Sequence, residues 1–286
     1  MPDLESFWEY SDPARSEERF RAALASARGD ERLELLTQIA RTYSLRGRSA
    51  EAHELLDEVE GALASAGPRP RIRCLLERGR THNSAGEKGK ARLLFIQAWD
   101  QARAASEEGL AVDAAHMAAI TFGGTADAVE WNGRGLALAR PSQDSKARAL
   151  IPAMLNNSAW DLHEMGRFGE ALSLFEEALV EWTARAQPEQ TRIAKWSVAR
   201  CLRSLGRLDE ALHLQRELEQ EHAAAGTSDG YVFEEIAELL GSLGESAEAR
   251  AYFARAADEL GKDEWFAQNE SARLFRLRSM AAGAGV

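Results

Sequence analysis

The stretch NNSAWDLHEMGRFGEALSLFEEAL, residues 156–179, decides how this chain is read. Its first half carries apolar residues at helical spacing and runs to Gly166. Lacking a Cβ, glycine adopts the left-handed conformation that closes a helix at little cost. A polar turn follows, and a second helix opens with Ala171; Phe175 lies four residues on and Ala178 three further. Steps of four and three keep these side chains on one helical face. A face that is small, then large, then small lets a neighbouring helix come close. The stretch therefore predicts two helices joined by a tight turn.

Working outward, the same pattern recurs in residues 39–56, 76–95, 116–131, 198–215 and 236–256. The glycines are Gly47, Gly86, Gly123, Gly166, Gly206 and Gly244, at spacings of 39, 37, 43, 40 and 38. Five residues after each comes Ala52, Ala91, Ala128, Ala171, Ala211 or Ala249. The large position holds Leu56, Phe95, Asn132, Phe175, Gln215 and Phe253; the next holds Val59, Ala98, Gly135, Ala178, Leu218 and Ala256. This spacing resembles the tetratricopeptide repeat family over roughly residues 30–262, in a bacterial-type form with repeats longer than the standard 34 residues. The resemblance implies an all-α, right-handed α–α superhelical solenoid of about six helix pairs. The third unit departs most, with Asn132 and Gly135 where bulk and alanine are expected.

Because each unit packs only on its neighbours, a solenoid needs capping helices at its ends. Residues 1–29 fit an N-terminal cap, with Pro13 near a first turn and Phe20, Ala23 and Leu24 on one face. Residues 263–281 fit one C-terminal amphipathic helix, with the six repeats over 30–262. The expectation is one domain over 1–286 with about fourteen helices. Composition agrees: 45% hydrophobic residues can form a core, and the alternating β-branched runs of strands are absent.

The formal charge of −11 argues against nucleic acid as a main partner, since that needs clustered Lys and Arg. No stretch approaches the ~18 apolar residues of a membrane span, and the acidic start lacks the features of a secretory signal, so the chain reads as cytoplasmic. Cys74 and Cys201 fall in apolar helical segments and read as small buried hydrophobes.

Catalytic signals are weak. The six histidines form no metal-binding spacing, so no metal or cofactor is implied. GEKGKA at 86–91 lacks the glycine and the Ser/Thr of a phosphate loop and is read as the repeat's turn. No catalytic residue is assigned. In arrays of this kind the first helices line the concave surface, which the resemblance makes the expected place for a peptide or partner segment. On that face the candidates are Asn156, Asn157, Trp160 and His163 in the fourth unit, Trp196, Arg200 and Arg203 in the fifth, and Glu234 and Glu238 in the sixth; Arg41 and Arg80 hold the corresponding place in units one and two. Two readings of this patch stand open. It is a recognition surface, or Trp160 and Trp196 pack in seams while Arg200 and Arg203 pair with Glu234 and Glu238. The expected function is a non-catalytic protein-interaction scaffold, with small-molecule or signal-peptide sensing, or an enzyme site in the groove, as alternatives.

Overall fold

The structure is a computed structural model that describes residues 4–283; the outermost residues of the expected 1–286 span, 1–3 and 284–286, lie outside the described residues. The described residues are helical, with turns between, and contain no strand. They divide into two compact units, 1–161 and 162–286.

The first unit opens with a 3₁₀ turn at Leu4–Phe7, then α1 (Pro13–Leu24). Three helix pairs follow: α2 (Gly29–Leu45) with α3 (Ser49–Gly61), α4 (Pro68–Ser84) with α5 (Lys88–Ala104), and α6 (Glu108–Phe122) with α7 (Ala126–Ala139). A one-turn α8 (Ser145–Ala149) precedes α9 (Ile151–Glu164), the last three residues of which begin the second unit. The second unit continues with α10 (Phe168–Ala184), α11 (Pro188–Ser204), α12 (Leu208–Ala224), α13 (Gly230–Ser242), α14 (Ser246–Leu260), α15 (Glu264–Asn269) and α16 (Ser271–Ala281). Within the units α2 packs on α3, α4 on α5, α6 on α7, α11 on α12 and α13 on α14, and α2 also packs on α4.

The small–large–small face is the core. Ala52, Leu56, Val59, Ala91, Phe95, Ala98, Ala171, Phe175, Ala211, Leu218, Phe253 and Ala256 are all buried. Burying each large apolar side chain contributes about 1.5–3 kcal/mol relative to exposure. Within the units the first helices present small buried residues to this face: Ala40, Gly79 and Ala118 in the first, Ala199 and Ala237 in the second. At Gly79 a Cβ would lie 2.5 Å from the Phe95 ring, so the closest approach in this series needs glycine.

Three details differ from expectation. Gly123 is not the left-handed residue after α6; Gly124 is, at φ 74°, while the other five glycines fall between 73° and 86°. The 43-residue spacing to Gly166 comes from α8, which Asp144 caps by accepting from Lys146 N while its other oxygen accepts from Gly109 N at 3.0 Å. The C-terminal cap is two helices, not one. Asn269 turns its side-chain amide onto the Trp265 carbonyl at 2.9 Å and the chain leaves helical geometry at Glu270, a side-chain bond that competes with the backbone ladder.

Candidate recognition clefts

In each unit, charged side chains on one first helix reach carboxylates on the next, one repeat along the chain. Arg80 makes two bonds of 2.6 Å to Asp113 and a third of 2.8 Å to Glu77. Arg73 and Arg69 bond Glu34 and Glu107, each at 2.6 Å. In the second unit Arg203 holds both oxygens of Glu235 at 2.8 Å, and Arg273 and Arg276 hold Glu234. Planar forks on carboxylates are the strongest of such contacts. Glu34, Glu77, Glu234 and Glu235 are buried, so these pairs are structural joints between repeats.

The first unit builds a polar cleft of about 460 Å³ on this network. Arg41, Arg69, Arg73, Arg80, Glu77 and Asp113 line it from α2, α4 and α6, with Tyr10 and Glu5 from the N-terminal segment. Trp8 and Tyr10 stack at 4.8 Å with parallel planes, and the Arg41 guanidinium lies 5.1 Å and 5.4 Å from their ring centres. Trp8 is fixed by donating its Nε1–H to Gln38 at 3.1 Å, and Gln38 donates onward to Glu77. The nearest carboxylate to Arg41 is Glu77, at 3.9 Å, too far for a hydrogen bond. Four buried polar atoms of this network have no hydrogen-bond partner: Glu34 Oε1, Arg41 Nε, Arg69 Nε and Glu77 Oε2. Burial opposes ionisation of Asp113, but the Arg80 guanidinium beside it outweighs that cost and holds the carboxyl below its usual range.

The second unit carries a different cleft, of about 590 Å³. Ile193 and Trp196 of α11 and Tyr231 and Val232 of α13 form its apolar floor; Arg192, His222 and Asp229 stand around it. Trp196, Tyr231 and Phe266 recur every 35 residues and meet edge to face, at 6.4 Å and 6.0 Å. The step after Trp196 is open because the α12–α13 connection spans 225–229, five residues, against three at 105–107 and 185–187. Asp229 caps α13 through Tyr231 N, and His222 bonds Thr227 at 3.0 Å.

Asn156, Asn157 and Trp160 are half-buried on α9 in the first unit, which also holds Arg41 and Arg80; His163 and the candidates of the fifth and sixth repeats lie in the second. His163 contacts Ser204 at 2.9 Å, and Ser204 also accepts from Arg200. Burial, with Arg200 and Arg203 nearby, lowers the His163 pKa below its ordinary value. Arg200 and Arg203 both face Glu235, at 3.3 Å and 2.8 Å, while Glu238 pairs with Arg276 at 2.6 Å. Trp196 donates to the Tyr231 carbonyl at 3.3 Å. Arg41 and Arg80, which the sequence placed in the same register, meet in the polar cleft. Missed entirely were Tyr10, Arg69 and Arg73, since nothing in the sequence brings the N-terminal segment onto α2 and α4. The end tryptophans split: Trp8 is packed into the core of the first unit, whereas Trp265 is 62% exposed. Cys74 and Cys201 are buried free thiols, and burial pushes Cys74 up to about 11. Among the described residues, no His/Cys/Asp/Glu group is arranged to hold a metal ion, and no helix is long and apolar enough to cross a membrane.

Residues 153–183 match a family model described as tetratricopeptide repeat. No curated protein matches the sequence. Solved structures do match in fold. The apo form of RapI superposes with a TM-score of 0.77 over 98% of this chain and 79% of that one, at 12% identity. The apo form of the quorum sensor NprR from B. thuringiensis gives 0.64 over 92% and 74%, at 16% identity. NprR in complex with its cognate peptide NprX gives 0.59 over 99% and 84%, at 16% identity. The resemblance to tetratricopeptide repeat proteins therefore holds for the fold, an all-α helical repeat.

Proposed function

We propose that this chain is a non-catalytic scaffold whose first-unit cleft binds a peptide segment carrying an acidic side chain. The observation that supports this is Arg41. Its guanidinium rests on two aromatic faces, its Nε has no hydrogen bond, and its nearest carboxylate stands 3.9 Å away. A cation held in place but short of an acceptor is ready for an incoming carboxylate, and the aromatic faces spare the ligand part of the ordering cost. The other acids of the cleft are occupied: Asp113 by Arg80, Glu107 by Arg69, and Asp144 by backbone N–H groups. The fold of NprR, whose structure holds a peptide, is consistent with this use of the first helices. Asn156, Asn157 and Trp160 are proposed further contacts on the first unit. For the second unit, Trp196, His163, Arg200, Arg203, Glu234 and Glu238 are proposed to act mainly by joining repeats, with Trp196 also facing a cleft of its own.

The test is panning of a random octapeptide library on the full chain, with recovered peptides titrated calorimetrically against wild type and Arg41→Gln. The expected result is a consensus containing Asp or Glu and a loss of about tenfold in the variant, the effect of one charged hydrogen bond. Recovered peptides without an acid, or indifferent to Arg41→Gln, would remove this reading.

A further inference from the structure

We infer that the second unit holds a separate small-molecule site, the cleft over Trp196 and Tyr231, that takes an apolar, aromatic monocarboxylate. This goes beyond peptide recognition and does not depend on it. Volume comes first: about 590 Å³ lies within the range of small-ligand pockets.

The floor is apolar and prearranged. Trp196 is fixed by its bond to the Tyr231 carbonyl, and the two rings meet at 76°, edge to face. The third ring of the series, Phe266, is sealed in the core, whereas Tyr231 is 39% exposed and Ile193 55%. The aromatic series is thus covered at one end and open at the other. A flat apolar body of one ring fits the open step, where the longer 225–229 connection has withdrawn the chain.

Charge decides the head group. Asp229 is occupied as the cap of α13 and lies 3.8 Å from His222 Nε2; the other nitrogen of His222 faces Thr227. Glu189 is exposed in the first turn of α11. Lys195, on the same helix, is paired with Glu221. Arg192 differs: it is half-buried in the cleft wall and makes no hydrogen bond or ion pair among the described residues. Its neighbour Glu189, three residues before it, forms no ion pair with it. A guanidinium partly removed from water and without an acceptor favours an anion, and its planar fork matches a carboxylate. The ligand's carboxylate pairs with Arg192 while its ring lies against Trp196, Ile193 and Tyr231.

The experiment titrates 3-(4-fluorophenyl)propionate into the full chain, read by ¹⁹F NMR line broadening, beside the matching propionamide and 4-fluorophenethylammonium. Saturable binding of the carboxylate is expected, with the amide at least about fivefold weaker, the effect of losing one charged contact, and the ammonium weaker still. Arg192→Gln should bring the carboxylate down to the amide. Ile193→Glu, at an exposed position that leaves the core untouched, should abolish carboxylate binding while circular dichroism is unchanged. Amide or ammonium binding as tightly as the carboxylate would overturn the assignment, as would a carboxylate that never saturates or is indifferent to Arg192→Gln.

Discussion

Each unit carries a cleft bordered by first helices, yet one is a charged network and the other an apolar floor. In the first unit Arg73 holds Glu34, and Arg80 holds Glu77 and Asp113, across α2, α4 and α6, while Arg41 Nε is left without a hydrogen bond. In the second, the salt bridges of Arg203, Arg273 and Arg276 join repeats, and the cleft opens elsewhere, where an extended connection parts the ends of the helices. The difference teaches that one first-helix register can either close into joints between repeats or leave a cleft open. Which it becomes depends on whether each charge finds a partner on the next helix.

The sharpest way to break the comparison is to remove a joint from each unit. Glu77→Leu strips buried partners from Gln38 and Arg80, leaving Arg80 on Asp113 alone, and should cost about 2–3 kcal/mol, the usual loss for charged hydrogen bonds with a buried donor left unpaired. Glu238→Leu removes a carboxylate that is 23% exposed and should cost under about 1 kcal/mol. Urea unfolding of both variants checks this; equal losses would show that burial does not separate the two networks.

A second comparison uses the polar residues in the core. Asn132 in the first unit and Gln215 in the second are fully buried at the large position; neither side-chain nitrogen nor oxygen of Gln215 has a hydrogen bond, whereas Asn132 faces the His116 imidazole. An unsatisfied buried amide costs about 1–3 kcal/mol. Gln215→Leu should therefore raise the melting temperature, with a stability gain of about 1 kcal/mol. Asn132→Leu should gain less, because its turn of α7 is already tight: a Cβ at Gly135 would lie 2.7 Å from the Met154 sulfur. A drop in melting temperature for Gln215→Leu would mean the amide has a role in the fold that its bonding does not reveal.

The smallest effect is that of pH. His163 has a lowered pKa in the folded state, from burial first and then from Arg200 and Arg203. Above its ordinary value near 6.5 the imidazole is neutral in both states and contributes nothing. As pH falls through that value the unfolded chain takes up the proton and the folded chain resists it, so stability declines. Between pH 7.5 and 5.5, His163→Gln should show a shallower loss than wild type. Parallel curves would mean that His163 titrates normally in the fold.

The helix pairs were legible because their signal is local. A glycine, an alanine five residues on, and bulk at the next turn lie within one hairpin, and helical periodicity carries them onto one face. The conformational detail at Gly123 and Gly124 was not, since two adjacent glycines can each take the left-handed position and local spacing does not choose. The candidate stripe was legible as a register, and Arg41 and Arg80 did fall on the cleft. Its partnerships were not. Arg200 and Arg203 share Glu235, with Glu234 turned to Arg273 and Arg276.

By itself the sequence determined that this protein is an all-α repeat of close-packed helix pairs, because hairpin packing depends on residues within about one turn of one another along each helix. Tertiary structure alone decided which charges are joints and which are left without a partner. That choice brings together residues 32 to 42 positions apart, as with Arg203 and Glu235 or Glu234 and Arg276. It also lays the N-terminal Trp8 and Tyr10 against Arg41. Contacts across whole repeats are set by how helices stack, and helical periodicity holds no record of that.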